Sequence, residues 1–203
     1  MVINTIWLGS DIPLRYNKNI QRLRDLNKGL THIHWQDRDI LDLIKQNNLE
    51  ELFNKIRFIS KLNLAKYLIL NTIGGIFTDL DIYWKIPFLQ IAEDQNFNQV
   101  QIILSYSNYS DFYIRNQKTD LLDDPFIITR PGLFKQCIDF SLTRTLRIDP
   151  NTEQIHKAEP IGPFLLTEWI YESNIKISKF SQENMLDLNG LYGNHEQQQL
   201  LNL

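Results

Sequence analysis

Apolar positions along this chain come in short runs, and most gaps between runs are long enough to hold a helix. Residues 2–8 form a first apolar run that stops at Gly9, the pattern of a buried strand. After Asp11-Ile12-Pro13, residues 14–26 carry a helical pattern, and residues 31–35 (THIHW) read as a second strand. A helix is predicted to start at Asp37, as its N-cap, and run to Leu43, with a short amphipathic piece over 50–56. The next helix is placed at 60–72, capped by Ser60, with Leu62, Ala65, Leu68 and Ile69 as its apolar stripe. Strands follow over 76–80, after a double glycine, and over 101–106 and 126–129, with a second apolar stretch at 82–88. Helices are predicted over 133–145, after Arg130-Pro131-Gly132, and over 164–171, after Ile161-Gly162-Pro163; Pro150 breaks the chain between them. A late edge strand is placed at 175–180. Residues 107–119 are polar and tyrosine-rich and read as a long loop able to cover a site. This alternation predicts a wound α/β layer structure.

Composition narrows this picture without redirecting it. The 203 residues fit one domain, free-standing or the first module of a longer protein. The net charge of −3, with Lys and Arg scattered, gives no electrostatic case for nucleic acid. Cys137 is the sole cysteine, which excludes an internal disulfide, and its apolar helical setting reads as core. No run reaches membrane-spanning length, and no leader pattern is visible, so a cytoplasmic location is expected and the sequon at 108–110 is expected to be unused.

Candidate chemistry concentrates at residues 74–81, GGIFTDLD. The two glycines permit a positive-φ turn, Ile76, Phe77 and Leu80 bury a strand, and Asp79 and Asp81 fall near its carboxyl end. In open α/β sheets that end is where ligands bind. Two carboxylates one residue apart make a hard oxygen site suited to Mn²⁺ or Mg²⁺ and, through the metal, to a phosphate. A bare D-x-D triplet is common on solvated turns; here a helix, a double glycine, an apolar strand and an aromatic exit surround it. His32 and His34 share one strand face, but no third nitrogen or sulfur ligand is near them, so they read as a polar face.

The string SKLNLAKYLILNTIGGIFTDLDIYW resembles the core of sugar-nucleotide-dependent glycosyltransferases of family 32, which include fungal initiating α-mannosyltransferases and the catalytic domains of large glucosylating toxins. The resemblance is specific over residues 59–88 and looser elsewhere. It implies a GT-A nucleotide-diphospho-sugar transferase fold, with a mostly parallel central sheet between helices, over residues 1–203. It implies transfer of a sugar from a nucleotide diphosphate donor to a glycan or other hydroxyl, with retention and with Mn²⁺ or Mg²⁺. A UDP-sugar is the favoured donor, with glucose as default and a deoxy sugar left open. By the same resemblance, Ile6-Trp7-Leu8-Gly9 matches the family's first strand, so that Trp7 stacks on the base and Leu8 and Gly75 line the nucleotide-sugar site. Asp81 holds the metal and Asp79 meets the ribose and a metal-bound water. Asp124 stands near the acceptor or the anomeric carbon. His195, or in second place Asn194, completes the metal site from a late loop. The chain departs from the family at Asn63 and Lys66, where relatives carry Asp and Arg that contact the donor, and altered sugar recognition is expected. The alternative is a non-catalytic sugar-nucleotide or glycan-binding module on the same fold. A metal-dependent phosphohydrolase is a weaker reading, since the further ligands of a two-metal site are missing.

Overall fold

A computed structural model describes residues 1–9, 11–107, 121–145, 161–181 and 193–195. A six-stranded sheet forms the centre, built from β1 (Val2–Ile6), β2 (Thr31–Trp35), β3 (Gly75–Thr78), β5 (Ile102–Ser107), β6 (Leu121–Thr129) and β7 (Ile177–Ser181) in the order β2-β1-β3-β6-β5-β7. Pairing is parallel throughout except on both sides of β6, so the sheet is mostly parallel with one reversed strand. A two-stranded ribbon pairs β4 (Ile82–Trp84) with β8 (Gly193–His195).

Alternating side chains send the strands' apolar residues to two cores. On one face, Phe77, Leu104 and Ile127 pack with α2 (Asp37–Gln46), α3 (Glu50–Lys55), α4 (Phe58–Thr72), α6 (Lys135–Thr145) and α7 (Pro163–Glu172). On the other, Ile3, Ile76, Ile103 and Ile128 meet Leu23 of α1 (Leu14–Leu26), the β4 segment and α5 (Phe88–Asp94). Trp84, Phe88 and Phe126 stack there with ring centroids 4.7 to 5.3 Å apart. Pairs of this kind contribute about 0.5–1.5 kcal/mol each beyond area burial.

Three local expectations need correction. Helix α4 starts at Phe58 behind an extended Arg57, so Ser60 lies inside the helix, fully buried, and does not cap it. Every residue from Asn63 to Leu70 of α4 is buried, so this is a central helix and not one with a single apolar stripe. Helix α2 is capped one residue earlier than expected: the backbone N–H of Gln36 donates to Asp39 Oδ2 at 3.0 Å. Asp37 instead turns its carboxylate to the backbone N–H of Gly9, at 3.0 and 3.2 Å. The polar loop expected at 107–119, the sequon at 108–110 and Pro150 lie outside the described residues beyond Ser107.

The double glycine has two separate steric reasons. Both residues have positive φ, +66° at Gly74 and +88° at Gly75. A Cβ on Gly74 would stand 2.5 Å from the Pro131 nitrogen, and one on Gly75 would collide with the Val2 carbonyl oxygen. The turn from α4 into β3 therefore lets β3 lie tightly against β1.

Candidate active site

Strand β3 ends at Thr78, and Asp79 follows it. The backbone there is pinned from several sides. The Asp79 N–H donates to the Pro125 carbonyl at 2.9 Å, and Asn19 Nδ2 of α1 donates to the Leu80 carbonyl at 2.7 Å. Trp84 Nε1 donates to Thr78 Oγ1 at 2.9 Å, and Arg22 Nε to the Trp84 carbonyl at 2.6 Å. Leu80 is buried between the two aspartates. The Asp79 side chain is 37% exposed, whereas Asp81 is 8% exposed.

Asp124 reaches the same place by an irregularity in β6. The register against β5 jumps from Leu104↔Ile127 to Ser105↔Asp123, leaving residues 124–126 as extra length in β6. Pro125, which has no N–H for a ladder, sits in that bulge. The bend carries buried Asp124 to Lys66 of α4. Lys66 Nζ donates to the Asp124 carbonyl oxygen at 2.8 Å and lies 3.0 Å from Asp124 Oδ1. The same ammonium is 3.6 Å from Asp79 Oδ1 and 4.8 Å above the Phe77 ring. Tyr67 Oη donates to Asp124 Oδ2 at 3.1 Å. Burial works against the Lys66 charge, yet Asp124 first and Asp79 next outweigh it and hold the ammonium above its ordinary pKa. Burial, reinforced by Asp124, pushes the Tyr67 phenol well up.

Asn63, one turn before Lys66, is also buried, and its Nδ2 donates to the Ile161 carbonyl at 3.0 Å. Neither residue lies on a solvent face. Trp7 follows β1 by one residue as Asp79 follows β3, and these strands are parallel neighbours, so both leave the sheet at the same end. The Trp7 ring packs on Tyr16 with centroids 5.3 Å apart, the Trp7 backbone N–H donates to the Trp35 carbonyl at 3.1 Å, and the buried indole Nε1 finds no acceptor among the described residues. Leu8 is partly buried against the α4-side core. Gly75 opens β3 at the end away from Asp79 and does not join this group. Strand β8 pairs with β4 so that His195 faces Ile82 and Asn194 faces Tyr83, which brings the late strand beside the residue after Asp81; the side chains of Asn194 and His195 lie outside the described residues. His32 Nε2 and His34 Nδ1 share the Thr5 hydroxyl at 3.1 and 3.0 Å, on the α1 side of the sheet.

The donor set suits a hard divalent cation in an open site. Among the described residues no group of three or more His, Cys, Asp and Glu side chains closes a cage. Two carboxylates at a strand end, one of them accessible, leave room for water and phosphate oxygens, as Mg²⁺-type sites commonly do.

Residues 13–98 match the family described as glycosyltransferase sugar-binding region containing DXD motif. The matched stretch covers α1 to α5 and includes Asn63, Lys66, Asp79 and Asp81, while Trp7, Asp124, Asn194 and His195 fall outside it. Over 92 residues the chain is 30% identical to inositol phosphoceramide mannosyltransferase 1 of Schizosaccharomyces pombe, a match covering 42% of this chain and 29% of that protein. The chain thus spans less than a third of that relative. The fold resembles the PaToxG glycosyltransferase, with a TM-score of 0.60 at 13% identity over 84% of this chain and 68% of that one. It also resembles the ligand-free glycosyltransferase domain of the YGT toxin, with a TM-score of 0.52 at 9% identity over 88% and 79%. The architecture is therefore the GT-A-like fold expected from the sequence.

Two site residues escape the sequence. Tyr67 sits in a buried run of α4 and reads as one more core aromatic, where only its hydroxyl hints at a partner. Asn19 is a buried polar residue on the inner face of α1, and its partner, the Leu80 carbonyl, is 61 positions away.

Proposed function

We propose that the chain transfers a sugar from a nucleotide diphosphate donor to a hydroxyl acceptor, with a divalent cation held by Asp81 and Asp79. The observation that carries this reading is the pair of carboxylates at the carboxyl end of β3, pinned in backbone and open to solvent at Asp79. The DXD-region match and the mannosyltransferase relative support the reaction class. A cation there would supply positive charge to the leaving diphosphate. A UDP-sugar is the donor we favour, with glucose the first sugar to try and a deoxy sugar kept open; a glycan hydroxyl is the acceptor. Trp7, leaving the sheet beside Asp79, is the residue we assign to the base, and His195, then Asn194, to the remaining metal position.

We assign retention of anomeric configuration. Asp124 is the carboxylate nearest to Asp79 through Lys66, but its two oxygens are engaged by Lys66 and Tyr67. That disfavours it as a covalent nucleophile, and we favour a same-face displacement.

The test is a thermal-shift screen of UDP-, GDP- and dTDP-sugars with and without Mn²⁺. A ligand that binds only the folded chain raises its melting temperature by mass action. We expect a shift with a UDP-sugar that needs Mn²⁺; no shift with any nucleotide sugar would sink the proposal. The binding-module alternative draws on Asn63 and Lys66, whose side chains are committed to Ile161 and Asp124. Slow Mn²⁺-dependent hydrolysis of the donor separates an enzyme from a binder, which would give none.

A further inference from the structure

A chain of contacts runs from the core to Asp79. At its inner end Tyr67 is fully buried and packs on Phe134, ring centroids 5.4 Å apart. Its hydroxyl holds Asp124 Oδ2, the other oxygen of that carboxylate meets Lys66, and Lys66 in turn faces Asp79 Oδ1. Lys66 is 4% exposed and Asp124 is 5% exposed, so the chain meets solvent at Asp79 alone among its four members. Removing one partner of such a buried pair leaves an uncompensated charge, which the structure resists strongly. The ammonium also bridges two neighbouring strands, since Asp124 lies at the irregularity within β6 and Asp79 follows β3. Three oxygens converge on one nitrogen above the Phe77 ring. A compact ammonium fits that arrangement, whereas a planar guanidinium spreads its donors.

We propose that Tyr67 and Lys66 are positioning residues: Lys66 directly, and Tyr67 through Asp124 and Lys66, fix the Asp79 carboxylate where a divalent cation and the donor diphosphate meet it. This rests on the reading of Asp79 and Asp81 as the cation–diphosphate site. Outer partners that orient a ligand carboxylate commonly matter nearly as much as the ligand. The arrangement also gives the lysine at position 66 a role directed at the protein's own carboxylates.

The experiment measures Mn²⁺ binding to the 203-residue chain in the presence of UDP, from the electron paramagnetic resonance signal of free Mn²⁺. Tyr67→Phe removes one hydroxyl and leaves the ring in place, and it is expected to raise the half-saturating Mn²⁺ concentration by about threefold or more. Lys66→Met is expected to raise it by about tenfold or more. UDP affinity without metal should stay as in the wild type in Tyr67→Phe. If Tyr67→Phe and a folded Lys66→Met keep half-saturation within twofold of wild type, the pair is only structural and the proposal fails. Tighter Mn²⁺ binding by Lys66→Met would also overturn it, because Lys66 would then be a competing charge. If Lys66→Met does not fold, Tyr67→Phe decides alone. Asp81→Ala is the control for the site itself: if it binds Mn²⁺ like the wild type, the cation reading fails whatever Tyr67→Phe does.

Discussion

At the scale of single residues, the aspartates and their supports make opposite predictions. Asp81 follows the pinned Leu80 and is the carboxylate assigned to the cation. Asp81→Ala is expected to abolish the Mn²⁺-dependent gain in UDP affinity, measured by calorimetric titration, while the melting temperature stays within a few degrees. Retained Mn²⁺ dependence would remove Asp81 from the metal site. Asn63 behaves differently. Its amide donates to the Ile161 carbonyl at 3.0 Å in a buried setting. Asn63→Asp, toward the family's usual residue, sets an acceptor against an acceptor and is expected to cost about 1–3 kcal/mol in urea unfolding. An unchanged unfolding midpoint would show that this bond carries no stability. The aspartates were legible because their signal is local: spacing, double glycine, apolar strand. The roles of Asn63 and Lys66 were not, because their partners Ile161 and Asp124 lie 98 and 58 positions away. A family departure at those positions was visible; what the side chains meet was not.

At the scale of elements, most of the chain was legible, since period-2 and helical patterns report burial directly. Strand β2 and helix α1 have the expected bounds, and β7 is the edge strand foreseen. The failures were at helix starts. Ser60 has the chemistry of a cap, but α4 starts two residues earlier, at Phe58, and Ser60 lies fully buried inside it. The bulge that aims Asp124 was also invisible, for it depends on how β6 registers with two neighbours at once. Gly75 tests the turn between α4 and β3. It was expected to line the nucleotide site, yet it lies roughly 13 Å along the strand from Asp79 at the usual rise per residue. Gly75→Ala forces a Cβ at φ +88° into the Val2 carbonyl between two paired strands. The expected loss is at least about 2 kcal/mol, within the range for strained backbone. UDP affinity of the folded fraction should be unchanged; a selective loss of UDP binding at wild-type stability would return Gly75 to the site.

For the whole molecule, the informative titration lies away from the aspartates, where β1 and β2 meet under α1. His32 and His34 share the Thr5 hydroxyl, and His32 Nδ1 and His34 Nε2 are buried. Burial, then Arg24, then His34 lower the His32 pKa to about 4, and burial and Arg24 lower that of His34 against a smaller opposing pull from Asp39. Both rings are therefore favoured in their neutral form in the fold. The unfolded chain takes up these protons as pH falls through the ordinary histidine value near 6.5. Between there and about 4 it binds more protons than the folded chain, so stability must rise with pH across that window. The contribution is fully present above pH 6.5 and lost below about 4. His32 is only partly buried, so solvent screening keeps its share of the slope below about 1.4 kcal/mol per pH unit. Carboxylates titrate in the lower part of this range as well, which makes the wild type alone uninformative. The comparison is with His32→Asn, which keeps a polar partner for Thr5 but cannot be protonated. Urea unfolding at pH 7.5, 6, 5 and 4.5 should show the two proteins diverging, with the wild type losing more stability as pH falls. Parallel stability curves would mean that His32 titrates alike folded and unfolded, and that the Thr5-centred cluster exerts no preference for the neutral ring.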